Sequence, residues 1–179
     1  MSKTFQKLWE GVQPCVPTNE LITGQEAATL IKKFKRVFGV IGADFDFSEH
    51  ALVDRLNHPR NKPPISACEF GFVLEKFIKK MSKQLFDDVG DVNARKVHAR
   101  GKNADKIRPN NYEYAISSKS TNVTIVLAIQ PSHNRSFKAR VNIITTIRKR
   151  GFGVNMGEHI IVESSDDWTP TNLQYIEVD

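Results

Sequence analysis

A change of hydrophobic period near residue 112 constrains this chain more than any other feature of it. Before that point apolar residues recur every three or four positions, as one face of a helix requires. After it they alternate, or run together in β-branched stretches, as strands require. Helices first and a meandering sheet second predict an α+β fold, with N-terminal helices packed on a four-stranded antiparallel sheet. A chain of 179 residues suits one domain, and 40% hydrophobic content can bury its core without disulfide or metal staples. This reading divides the chain into an N-terminal extension over 1–22, a single domain over 23–165 and a C-terminal tail over 166–179.

Within the first half, a short helix is expected over Thr4–Glu10, before the irregular stretch that holds Pro14 and Pro17. Thr23-Gly-Gln-Glu26 has the form of a capping box, and Ala27, Leu30, Ile31, Phe34, Val37 and Phe38 behind it make one apolar stripe. Lys32, Lys33, Lys35 and Arg36 fall mostly on the other face, which reads first as solvated surface, with RNA contact as the lesser alternative. Asp46 or Ser48 can cap a helix from Glu49 to about Asn57, ended by Pro59 and the Pro63-Pro64 pair. Ser66-Ala-Cys-Glu69 opens a third helix, with Phe70, Val73, Leu74, Phe77, Ile78, Met81 and Leu85 inward and Lys76, Lys79, Lys80 and Lys83 outward. It is expected to stop near Phe86 and give way to a polar loop over Asp87–Asn111, with a short strand at Arg95–Ala99. Strands follow at Tyr112–Ser117, Val123–Ile129, Phe137–Ile147 and Glu158–Glu163, before a tail that docks through Trp168, Leu173 and Tyr175.

The net charge is +6 and the pI about 9.4, with the cations concentrated between Arg95 and Arg150 and an acidic segment from Glu158. Such polarity favours a polyanionic partner, nucleic acid first. Cys15 and Cys68 match no metal-ligand spacing and read most simply as two thiols in a reducing cytoplasm, with a disulfide as the alternative. No apolar run reaches the roughly 18 residues of a membrane span, and the first residues lack the apolar core of a signal peptide. A soluble, cytoplasmic protein with no cofactor and no metal site is expected.

RNA can be cut without a metal when its own 2′-hydroxyl attacks the adjacent phosphorus, given a base for that proton and an acid for the leaving 5′-oxygen. Cations must also stabilise the charge that builds on the phosphorus centre. His50, at the start of its helix, has a side chain suited to proton transfer near neutral pH, and Asp54 one turn on can orient its ring. Arginine can grip two phosphate oxygens at once. Alternation along Phe137–Ile147 puts Lys138, Arg140 and Asn142 on one face and Phe137, Ala139, Val141 and Ile143 on the other. With Arg148, Lys149 and Arg150 beyond them, and Arg95 and Arg100 in the loop, these residues make an expected RNA-binding set; the plain alternative is the solvent face of an amphipathic strand. Tyr112 and Tyr114 offer either base stacking or ordinary packing. His98 and His133 lie in basic, polar contexts that suit exposed loops, while His58 and His159 have no metal-ligand spacing.

The stretch FSEHALVDRLNHPRNKPPIS, with its aromatic, polar, histidine, two apolar residues and arginine, then a second arginine and a new helix, resembles the RegB-like and RelE-like small endoribonucleases. The resemblance spans roughly residues 44 to 150 and is close only in the short helix. It implies a compact fold of N-terminal helices on a four-stranded antiparallel sheet, a phage-encoded protein in the host cytoplasm, and RNA as substrate with the ribosome as a candidate partner. It implies His50 as the catalytic histidine and Arg55 as a support for the helix or a phosphate contact. The second histidine of RegB-like proteins is missing; Glu75, Lys76 and Lys79 stand on the following helix instead. A lysine or arginine from the sheet then takes the remaining role.

Three readings follow. The first is a metal-independent endoribonuclease, with His50 as acid or base and Arg55, Arg140 and Arg148 holding phosphate. The second is a non-catalytic RNA-binding regulator on the same fold. The third is a virion or assembly protein whose basic surface touches packaged nucleic acid.

Overall fold

The computed structural model describes residue 15 and residues 19–98, 112–133, 136–149 and 158–162; for 93–98 and 158–159 it describes the backbone alone. The Thr4–Glu10 helix and the docking tail lie outside the described residues. Three helices and one five-stranded sheet form the described structure.

Helix α1, Gly24–Val40, starts at the expected capping box: Thr23 Oγ1 accepts from the Glu26 amide (3.3 Å) and the Glu26 carboxylate accepts from the Thr23 amide (2.9 Å). Its stripe is buried as expected, and Phe34 and Phe38 both meet Phe45, the latter stacked with ring centroids 5.6 Å apart. The chain leaves α1 through Gly42, whose φ of 83° suits a residue without a Cβ. The Gly42 carbonyl accepts from the Lys138 amide (2.8 Å), so the turn is tied to the sheet. Helix α2, Glu49–Leu56, is capped by Ser48, and helix α3, Ala67–His98, opens on the Ser66–Glu69 box (3.2 Å and 3.0 Å).

The end of α3 corrects the expectation for residues 87–98. The helix bends at Met81 (φ −105°, ψ 15°) and continues through residue 98, because Leu85, Val89 and Val92 keep the buried spacing past the polar residues between them. Arg95–His98 are therefore helical in backbone, not a short strand.

The sheet also departs from four antiparallel strands. Its order is β1 (Ala43–Phe45), β4 (Ala139–Arg148), β3 (Val123–Pro131), β2 (Tyr112–Ser117), β5 (Glu158–Ile161). The centre β2–β3–β4 is antiparallel, but β1 pairs parallel to β4 and β5 parallel to β2, which makes the sheet mixed. Between β2 and β3 the chain turns through Asn122 at φ 56°, a left-handed conformation that asparagine tolerates.

Tyr114, Ile116, Val123, Ile125, Leu127, Ile129, Ala139, Val141 and Ile143 join the helix stripes in one core, so the helices cover one face of the sheet. Ala115, Val126 and Ala128 are buried on the other face.

Cys15 and Cys68 are bonded to each other, with Cα atoms 5.8 Å apart, and the expected pair of free thiols is corrected accordingly. No helix among the described residues is long and apolar enough to cross a membrane.

Candidate nucleic-acid interface

Helix α2 turns Leu52 and Leu56 into the core, which leaves His50 and Asp54 together on the outward side. His50 is exposed, and among the described residues its ring makes no hydrogen bond. The charged side chains nearest to it along the chain are acids, Glu49 and Asp54 on its helix and Asp46 just before, all exposed.

Arg55 points elsewhere. Its guanidinium donates to the Ile144 carbonyl and lies 5.3 Å from the centre of the Phe47 ring. Partial burial, and then the neighbouring charge of Arg60, lower its pKa from the ordinary arginine value, though arginine stays cationic in proteins. Ile144 explains this placement. Leu127 pairs with Ile143 and Val126 with Thr145, so Ile144 is the extra residue of a β-bulge, and Arg55 supplies the donor its carbonyl lacks in the ladder. Arg60 continues the same edging with bonds to Thr145 Oγ1 (2.8 Å) and the Thr146 carbonyl (3.1 Å). Asn61 accepts from the Arg148 amide (2.9 Å). The segment from Arg55 to Asn61 thereby closes the part of β4 that β1 is too short to cover.

The bulge also divides the basic strand. Arg140 and Asn142 lie opposite the core face as expected, but the extra residue reverses the alternation, so Arg148 pairs opposite core residue Val123 and turns inward. Arg148 donates to the carbonyls of Pro63 (2.9 Å), Pro64 (3.0 Å) and Thr121 (2.7 Å) and to both carboxylate oxygens of Glu69 (2.8 Å each). Its side chain is 7% exposed and that of Glu69 0%. Arg140 is half-buried and pairs with Asp46 at 3.4 Å. Lys138 and Lys149 are exposed at opposite ends of β4, roughly 35 Å apart at strand rise. Among the described residues the exposed lysines of the expected strip stand at its two ends, with Arg140 half-buried and paired to Asp46 and Arg148 turned inward. Arg95 lies in the last turns of α3 with its side chain undescribed, and Arg100 and Arg150 lie outside the described residues.

Tyr114 is buried against Phe77 and bonds Asp88, while Tyr112 bonds Asp91. Both tyrosines pack. His58 Nδ1 accepts from the Arg60 amide (3.2 Å), His133 is exposed, and His98 and His159 are described in backbone only, in α3 and β5. Among the described residues no group of histidine, cysteine or carboxylate side chains is placed to hold a metal.

A more uniform surface lies on the helices. Lys32, Lys35 and Arg36 on α1 and Lys79 and Lys83 on α3 are exposed and without an ion-pair partner among the described residues. Ala27–Val40 contains no acid, and the two acids of Ala67–Phe86 are both buried: Glu69 on Arg148, and Glu75 on Lys33 of α1. The helices meet here, where Lys33 pairs with Glu75 and a Cβ at Gly71 would make ordinary contact with Leu30 Cδ2 (3.4 Å). The helical spacing of these cations is legible in the sequence. The burial of Glu69 and Glu75, which removes the compensating charge, is not.

No family model matches the chain, and neither the curated proteins nor the solved structures contain a relative that matches it.

Proposed function

We propose that this protein binds nucleic acid, RNA in the first instance, by its phosphate backbone on the outward face of α1 and α3, and does not cut it. One observation carries the reading: the exposed charge of Ala27–Val40 and Ala67–Phe86 is of a single sign, because Glu69 and Glu75 are buried in ion pairs. Closely spaced cations with no local counter-charge attract a polyanion and release its condensed counterions, a gain that salt abolishes. Cleavage has less support. His50 stands among Asp46, Glu49 and Asp54, and Arg55 and Arg148 are committed to carbonyls and to Glu69.

The test is a titration of labelled RNA with the purified protein in excess EDTA, followed by analysis of RNA length and ends. Salt-sensitive binding of intact RNA, unchanged in His50→Ala, is expected. Fragments ending in 2′,3′-cyclic phosphate that disappear in His50→Ala would restore the endoribonuclease. Absence of binding at low salt would remove nucleic acid as the partner and leave assembly with another protein.

A further inference from the structure

The basic stripe of α3 ends on an aromatic side chain that the core does not use. Phe86 is 54% exposed and one turn beyond Lys83 on the same side of the helix, with Lys79 exposed just before the bend at Met81, while Met81, Leu85 and Val89 face inward. One turn further stands Gly90, where an added Cβ would meet nothing within 4 Å. No neighbour demands a glycine there, and glycine inside a helix costs about 0.5–1 kcal/mol relative to alanine. Side chains on a helix lean towards its N-terminus, so a larger residue at 90 would lie over the Phe86 ring. Glycine leaves that side of the ring bare.

We infer that Phe86 is a stacking platform for an unpaired base, and that the ligand of the α1–α3 face is single-stranded nucleic acid. The assignment rests on the phosphate-binding reading above and adds the class of strand to it. Lys83 and Lys79 hold the phosphates, and the attached base turns over the ring one turn away. Asp87, the next residue, is exposed and interrupts the cationic surface of the described residues, which favours the backbone on the lysine side. Bases in a duplex are already stacked and cannot reach a side chain on a convex helix, whereas every unpaired base offers a π-face irrespective of its identity.

The experiment compares labelled single-stranded and duplex oligonucleotides of equal length by fluorescence anisotropy over a series of salt concentrations. The parent is expected to prefer the single strand. Phe86→Ala is expected to weaken single-strand binding roughly 5- to 100-fold, with duplex binding and the salt slope unchanged, since no ionic contact is lost. Phe86→Trp retains the affinity, Gly90→Leu weakens it as Phe86→Ala does, and Lys79→Gln lowers the salt slope. Parent-like single-strand binding by Phe86→Ala, or equal affinity of the parent for duplex, overturns the stacking assignment and leaves the phosphate grip standing. Failure of the parent to bind either strand form removes both.

Discussion

At the residue scale, Arg148 shows how a cation can be prominent in a sequence and absent from the surface. Glu69 closes the N-terminal box of α3 with the same carboxylate that receives Arg148, and the guanidinium gathers the carbonyls of Pro63, Pro64 and Thr121 around it. A buried pair of this kind adds little over an apolar replacement, but losing one partner strands the other charge. Arg148→Met is expected to cost about 3–5 kcal/mol, read from urea denaturation, and Glu69→Gln with Arg148→Met is expected to recover part of it. A loss below about 1 kcal/mol in the single variant would show that Glu69 is solvated or otherwise paired. Asp88 gives a second prediction. Burial pushes its carboxyl above the ordinary carboxylate range against the bonds from Tyr114 and Gln84, with Asp87 and Asp91 adding to the rise. A raised pKa in the fold means that the fold binds this proton more tightly than the unfolded chain does. The stability it contributes is complete below the unfolded value and is lost as pH climbs through the folded one. Asp88→Asn is therefore expected to gain stability relative to the parent as pH climbs from the unfolded aspartate value through the raised folded one, and a gap that narrows over that rise contradicts the sign.

At the element scale, Ile144 decides more than any charged residue near it. One extra residue in β4 sends Arg148 inward and places a carbonyl where Arg55 must meet it. Arg55→Ala is expected to lower stability by about 1 kcal/mol, the ordinary worth of such a bond at a partly exposed site, and to leave RNA affinity unchanged. A fall in affinity with unchanged stability would return Arg55 to the phosphate. The bulge also explains what was legible beforehand. The capping boxes at Thr23 and Ser66, the stripes of α1 and α3 and the three antiparallel strands follow from local spacing, which the sequence carries in full. Parity after Ile144 is not so plain, because the doublets Ile143-Ile144 and Thr145-Thr146 interrupt the alternation without saying which residue is the extra one. Strand β1 is only Ala-Asp-Phe, too short for a period, and exists through its parallel register with Ala139–Val141. Residues 87–98 read as loop because Asp87, Gly90 and Asp91 interrupt the pattern, yet Val89 and Val92 hold the helix to the core.

At the scale of the whole molecule, the charge is sorted by face and not only along the chain. Acids cluster around α2, where His50 stands, and cations line α1 and the first part of α3. The sequence shows the net charge of +6 and the basic helix spacing. It does not show which carboxylates the fold hides, and that burial is what moves our proposal from β4 to the helices. The most direct measurement is the salt dependence of RNA binding by the parent and by a variant carrying Lys32→Gln, Arg36→Gln, Lys79→Gln and Lys83→Gln, which all lie outside the core. A slope of log affinity against log salt that flattens by about 0.7 for each cation removed is the result this account predicts. An unchanged slope, with affinity intact, would place the phosphates on another surface and contradict it.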